Sequence, residues 1–211
     1  MLKCYRIGNA QIIGRREVQS NYFTTAYNDN TGQLLAVLAD GSIDHPNGRK
    51  AAILAVELCV DEFFQERVRS NTCEAMLEVA LKASKHIEDT IYTRRIPKIS
   101  LTIALLKERD FTFFNVGGNR LYLYNGHNER VLNYDMKSPY SGGTVKLDVK
   151  NMIGIYSVGV YSITHPVERI KIVESNKYSA FDKAQTLIET VEEKALDNQL
   201  NATALLIEVK K

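Results

Sequence analysis

The sequence predicts an α+β protein, a four-layer α-β-β-α sandwich in which two antiparallel sheets stack face to face with helices outside. Three observations carry that expectation. Strand-like segments come first, two consecutive stretches of helical spacing follow, and the second half returns to strands before a last helix and a last strand. Two stacked sheets with helices outside cover every apolar face these segments create.

Residues 21–28 and 33–39 read as strands joined by Asp29-Asn30-Thr31-Gly32, residue types that favour a tight turn. The second of these strands is apolar on both faces, the pattern of a central strand covered on both sides. After the turn at Pro46-Asn47-Gly48, apolar residues recur at Ile53, Val56, Val60 and Phe63, and then at Met76, Val79, Ala83, Ile87 and Ile91. Steps of three and four predict two amphipathic helices. Asn71 or Thr72, ahead of Glu74, offers a cap for the second. Strands are expected over residues 99–106, 111–116, 120–124, 130–134, 152–157 and 168–173, with Asn125-Gly126 as a hairpin turn. A third helix is expected over residues 179–195, burying Phe181, Ala184, Leu187, Ile188 and Val191, and a last strand over 203–209.

The 211 residues suit one domain spanning 1–211. Lys plus Arg at 27 against Asp plus Glu at 25, without a long block of one sign, gives no nucleic-acid arm. Cys4, Cys59 and Cys73 lack the paired spacing of a zinc site or disulfide framework, which fits a reducing cytoplasm. No segment approaches the roughly 20 apolar residues of a membrane span. The expectation is a cytoplasmic protein that binds neither nucleic acid nor membrane.

Five short segments narrow the choice among folds with these layers. They are Arg16-Glu17-Val18-Gln19-Ser20-Asn21, Ala39-Asp40-Gly41-Ser42-Ile43-Asp44-His45, Val116-Gly117-Gly118-Asn119-Arg120, Ser157-Val158-Gly159 and Leu200-Asn201-Ala202-Thr203. In order, in placement at strand ends and in the helix pair between them, they resemble the PP2C-type (PPM) metal-dependent protein phosphatases over about residues 14–209. Bacterial members of that family carry Arg-x-x-Asn-x-Asp, Asp-Gly-x-Gly-Gly-His, Gly-Asp-Ser-Arg, Ser-Asp-Gly and Asp-Asn-x-Thr at these places.

The departures concentrate on one residue type. Where the resemblance implies aspartates, the sequence has Asn21, Gly118, Val158 and Leu200, and only Asp40 stays acidic. With the Gly41 carbonyl, these are the positions that the family uses to hold two divalent ions. Hard cations need several converging anionic or carbonyl oxygens, which this set does not supply. Without an ion no water becomes acidic enough to attack phosphorus at neutral pH. The resemblance therefore implies no bound cofactor, no functioning catalytic residue and a degenerate metal site.

Each retained residue has two readings. Asp40 is a remnant ligand or a turn residue ahead of Gly41. Arg16 matches the family's phosphate-gripping arginine, yet Arg15 beside it shows how ordinary a surface arginine is. His45 matches a histidine implicated in protonating the leaving group, yet Pro46-Asn47-Gly48 after it is plain turn chemistry. Gly117-Gly118 resembles a phosphate turn, but no helix is expected after it, so close strand packing is the simpler account. Between Asp135 and Ser157 the sequence is read as one short connection, a version of the domain without the family's flap. Asp44, Asp135 and Asp197 are acidic candidates for a rearranged site.

The expected function is a pseudophosphatase, a regulatory or protein-interaction domain in phospho-signalling whose partner is a kinase or a phosphoprotein. The alternative is a divergent serine/threonine phosphatase holding manganese or magnesium weakly at Asp40. A third class, the N-terminal-nucleophile hydrolases, also stacks two sheets between helices, but Leu2 is no nucleophile and Cys4 becomes one only after unusual processing.

Overall fold

The computed structural model describes residues 4–42, 44–65, 72–126, 128–133, 138 and 140–210. In chain order its elements are β1 (Tyr5–Ile12), β2 (Asn21–Asn28), β3 (Gln33–Gly41), α1 (Gly48–Phe64), α2 (Cys73–Thr90), β4 (Ile99–Lys107), β5 (Asp110–Val116), β6 (Arg120–Tyr124), β7 (Glu129–Val131), β8 (Tyr140–Lys146), β9 (Met152–Tyr156), α3 (Val158–Tyr161), α4 (Pro166–Val173), α5 (Ala180–Glu193) and β10 (Ala202–Val209). They form two antiparallel five-stranded sheets flanked by helices, with strand orders β1-β10-β9-β6-β7 and β2-β3-β4-β5-β8. Each sheet belongs to its own compact unit, one built on residues 1–19, 118–134 and 147–211, the other on 20–117 and 135–146. Among the described residues no helix is long and apolar enough to cross a membrane.

In the second unit, β3 lies between β2 and β4, and Leu34 to Ala39 are all at most 1% exposed, as the two-faced apolar pattern predicts. The β2–β3 turn closes as expected, with the Asn28 carboxamide oxygen accepting from the Asn30 N–H at 3.0 Å and Gly32 at a φ of +67°. Thr72 caps α2, its hydroxyl accepting from the Ala75 N–H, and Met76, Val79, Ala83, Ile87 and Ile91 are buried. On α1 the buried face is set by small residues instead. Ala51, Ala52, Ala55, Val56, Cys59 and Phe63 pack into the core, while Ile53 and Val60 are only half-buried. Small side chains let a helix lie close to a sheet, so the face follows the alanines rather than the largest apolar residues. A 2.8 Å ion pair from Lys82 to the buried Glu62 ties the two helices.

Three further expectations are corrected. The span between Asp135 and Ser157 is not one short connection. It contains β8, in register with β5 from Asp110↔Lys146 to Val116↔Tyr140, ahead of β9, the strand expected over 152–157. Gly142, Gly143 and Thr144 give β8 no apolar alternation to read, and the ladder itself holds it. Residues 168–173 are not a strand but the body of α4. His165 and Glu168 form a reciprocal capping box with Pro166 at the first turn, and the buried residues are Arg169 and Val173, four apart. Ile170 and Ile172 imitate a strand period without being buried. On α5, Phe181 is 57% exposed, and the buried face runs through Ala180, Ala184, Leu187, Ile188 and Val191. The strand over 130–134 is observed as Glu129–Val131, and Tyr134 lies outside the described residues, as does Asn71.

The first unit opens with β1, which pairs along its length with β10 from Tyr5↔Val209 to Ile12↔Ala202. A side chain at Gly8 would place its Cβ 1.9 Å from the Ala180 carbonyl oxygen, so glycine there lets α5 begin against the strand.

Candidate functional site

Asp40, Asn21 and Gly41 come together at one end of the second unit's sheet. Asp40 stands opposite Asn21 on β2 and opposite Ser100 on β4, and Gly41 is opposite Ile99. Asn21 is fully buried, and Asp40 is half-buried. Burial pushes the Asp40 carboxyl up from 3.8 to about 6. Gly41 meets the start of α1 closely: its Cβ would fall 2.1 Å from the Gly48 carbonyl oxygen. The strand end and helix start are thus packed backbone to backbone.

His45 sits in the turn between them. Its Nδ1 accepts from the Asn47 N–H at 3.1 Å, so its Nε2 carries the proton and donates to the Arg95 carbonyl at 2.7 Å. Both ring nitrogens are engaged in holding the turn against residues 91–98. Asp44 is exposed.

The first unit holds Arg16, Gly118, Val158 and Leu200, of which Val158 belongs to α3 and Gly118 is bonded to it. Val158 opens that helix after Ser157, whose hydroxyl oxygen accepts from the Thr203 N–H at 3.0 Å. Gly159 abuts the start of β10, with a Cβ position 2.2 Å from the Asn201 carbonyl oxygen. The Asn201 side chain donates to the Ile13 and Val18 carbonyls at 2.8 and 3.1 Å, fastening residues 13–18 to that strand start. The Gly118 carbonyl accepts from the Tyr161 hydroxyl at 2.8 Å. The Arg16 guanidinium donates through Nη2 to the Asn198 carbonyl at 3.4 Å, and its buried Nε has no hydrogen-bond partner among the described residues. Val158, Leu200 and Gly118 are half-buried, and Asp197 is exposed.

Gly117 adopts a φ of +85°, and a Cβ there would lie 2.5 Å from the Ser100 hydroxyl, so close packing accounts for that glycine turn; β6, not a helix, follows it. Sequence reasoning quoted Ser157 and Asn201 as motif letters without assigning them work; their side chains join the motifs. It missed Arg169 and Glu129 entirely. These are 4% and 7% exposed and form a bidentate pair at 2.6 and 2.7 Å. Forty residues separate them, and no local pattern links them.

As oxygen donors the resemblance's metal positions offer the Asp40 carboxylate, the Asn21 carboxamide and the Gly41 carbonyl in one unit. In the other they offer main-chain groups at Gly118, Val158 and Leu200 and no carboxylate. Among the described residues no cluster of three or more His, Cys, Asp or Glu side chains is placed to hold an ion. Asp135 lies outside the described residues.

No family model and no curated protein matches the chain. Solved structures do. The Mycobacterium tuberculosis serine/threonine phosphatase PstP/Ppp superposes with a TM-score of 0.84 at 12% identity, covering 99% of this chain and 100% of that one. The catalytic domain of the serine threonine protein phosphatase PstP, solved in complex with two manganese ions, gives 0.81 at 13% identity and 99% coverage of both chains. PppA, described as a key regulatory component of the T6SS in Pseudomonas aeruginosa, gives 0.73 at 13% identity and 97% coverage of both. The chain thus has the fold of the PP2C-type bacterial serine/threonine phosphatases.

Proposed function

We propose that the chain is a catalytically inactive pseudophosphatase, a regulatory or protein-interaction domain in phospho-signalling that binds a kinase or a phosphoprotein without dephosphorylating it. The observation that supports this reading is the donor set: one carboxylate, Asp40, facing an amide at Asn21, where the resemblance implies aspartates around two ions. A divalent ion of this class takes about six oxygen ligands and needs anionic ones to offset its dehydration. The residues present do not fit a two-ion centre, so no hydrolytic step is routed through one. His45, with both ring nitrogens committed to main-chain partners, is a turn residue and not a general acid. The regulatory part of the reading draws on PppA, which shares the fold. We take residues 1–211 as one functional domain of a cytoplasmic protein, and its free Cys4, Cys59 and Cys73 suit a reducing compartment.

A second reading has one observation in its favour. Asp40 is a half-buried carboxylate whose proton is held by burial, and a single manganese or magnesium ion beside it would relieve that burial cost. That reading makes the chain a divergent metal-dependent serine/threonine phosphatase. Purified protein assayed with manganese on a phosphothreonine peptide separates the two. The expected result is no turnover above a matched blank. Activity that co-purifies with the chain and disappears in Asp40→Ala overturns the pseudophosphatase reading.

A further inference from the structure

The second unit carries an apolar groove of about 570 Å³ between α2 and the β4–β5–β8 side of its sheet, and two of its lining residues, Ile99 and Leu101, flank Ser100, the ladder partner of Asp40. Leu77, Leu81, Ile96, Phe114, Val116 and Tyr140 supply most of its wall. Three of these project to solvent: Leu81 is 62% exposed, Tyr140 47% and Ile96 44%. Large apolar side chains gathered around one concavity are what a binding site for another molecule presents.

The segment that gives the groove Ile96, Pro97 and Lys98 is cationic. Residues 91–98 contain the exposed cations Arg94, Arg95 and Lys98 and no acid, and Lys98 itself lines the groove. On the α2 side, Glu88 is the lining acid, while the nearby Asp89 is ion-paired to Lys85 at 2.7 Å. The loop is held in place at two points, one of them the Lys98 carbonyl, which accepts from the Ser42 N–H at 2.9 Å. The Arg95 carbonyl accepts from both the His45 ring at 2.7 Å and the Thr93 hydroxyl at 2.6 Å. The rim is preorganised, so less ordering entropy opposes binding there.

We propose that this groove docks an amphipathic segment of a partner protein, its apolar side chains filling the space beside Leu81 and Phe114 and its acidic residues facing Arg94, Arg95 and Lys98. The charge of the rim selects the sign of the partner, and the concavity selects a folded or folding peptide over a flat bilayer surface. The inference holds whether or not the chain hydrolyses phosphate, because none of the residues changed in its test is among the metal or catalytic positions that the resemblance implies.

The test pans a displayed library of short random peptides against the full chain, then measures the selected peptides by fluorescence anisotropy. Selected sequences should combine large apolar residues with Asp or Glu, and their binding should weaken as salt is added. Leu81→Glu, and separately the triple change Arg94→Glu, Arg95→Glu and Lys98→Glu, should each weaken binding by about tenfold or more. Leu81 is exposed enough that its variant should melt with the parent, and Ile96→Ser serves as a second probe if it does not. Selection of basic or uncharged peptides, or of none that depend on Leu81, overturns the proposal. So does Leu81-dependent binding to phosphatidylserine vesicles in place of peptides, which would make the face a membrane contact. Concentration-dependent self-association abolished by Leu81→Glu overturns it in favour of a second copy of the chain.

Discussion

Asp40 closes an apolar strand and faces Asn21 across the ladder, and its carboxyl is pushed up to about 6 by burial. A raised carboxyl means that the folded protein holds this proton more tightly than the unfolded chain. The stability this contributes is fully present below pH 3.8 and is lost as pH rises through about 6. The gap corresponds to at most about 3 kcal/mol, and partial exposure to water reduces it to roughly 2. Asp40→Asn keeps the shape and removes the charge. It should therefore be more stable than the parent at neutral pH by roughly 2 kcal/mol, with the difference vanishing near pH 4. Urea unfolding of both proteins across that range checks this, and a variant that is less stable at neutral pH would show that the carboxylate has a partner. Legibility at this scale is uneven. Asp40 is readable as the last acidic position because its two neighbours in the motif surround it in sequence. The engagement of both His45 nitrogens is not readable, since Arg95 is 50 residues away.

Among the elements, α4 shows how a local pattern misleads and what overrides it. Ile170 and Ile172 suggest a strand, but Pro166 has no N–H to give a ladder, and His165 and Glu168 cap a helix. Those caps are visible in the sequence. What turns the helix to its final face is the buried Arg169, which pairs with Glu129 of β7, donates to Thr164 and stacks over the Tyr122 ring at 4.9 Å. The Tyr124 hydroxyl donates to the same Glu129 carboxylate at 2.7 Å. Removing one partner strands a charge in a dry setting, so Glu129→Gln or Arg169→Met should each cost about 3 to 5 kcal/mol. The two changes together should cost much less than their sum, because neither charge is then left alone. A double-mutant cycle by thermal or denaturant unfolding reads this directly, and additive losses would mean that the two side chains act independently.

Across the whole molecule, the fold is shared with solved phosphatases at 12–16% identity, and the sequence has Asn21, Gly118, Val158 and Leu200 where the resemblance implies aspartates. Restoring Asn21→Asp, Gly118→Asp, Val158→Asp and Leu200→Asp asks whether charge alone was lost. Asn21 is fully buried opposite Asp40, whereas Gly118, Val158 and Leu200 are half-buried, so Asn21→Asp should dominate the loss of stability without metal, by about 3 kcal/mol. Manganese that binds only the folded variant should raise its melting temperature, and the parent should not respond. Turnover is a stricter demand on substrate orientation and should recover little. If neither protein responds to manganese, these four positions are not the ligand positions that the resemblance implies.

The sequence alone determined most of the helical and extended stretches, α4 excepted, and it placed the motif letters at strand ends. Periodicity and turn chemistry are local, so α2, β3 and the β2–β3 turn were readable from neighbours a few residues apart. Tertiary structure decided the rest, by contacts that periodicity does not encode. Strand β1 exists because β10, some 190 residues later, offers it a ladder, and β8, poor in apolar residues, exists because β5 does. The buried face of α1 follows its alanines because closeness to the sheet, not side-chain size, decides what fits. The pairing of Arg169 with Glu129 needed the folded chain, since a buried charge is tolerated only where its counter-charge has already been brought to it.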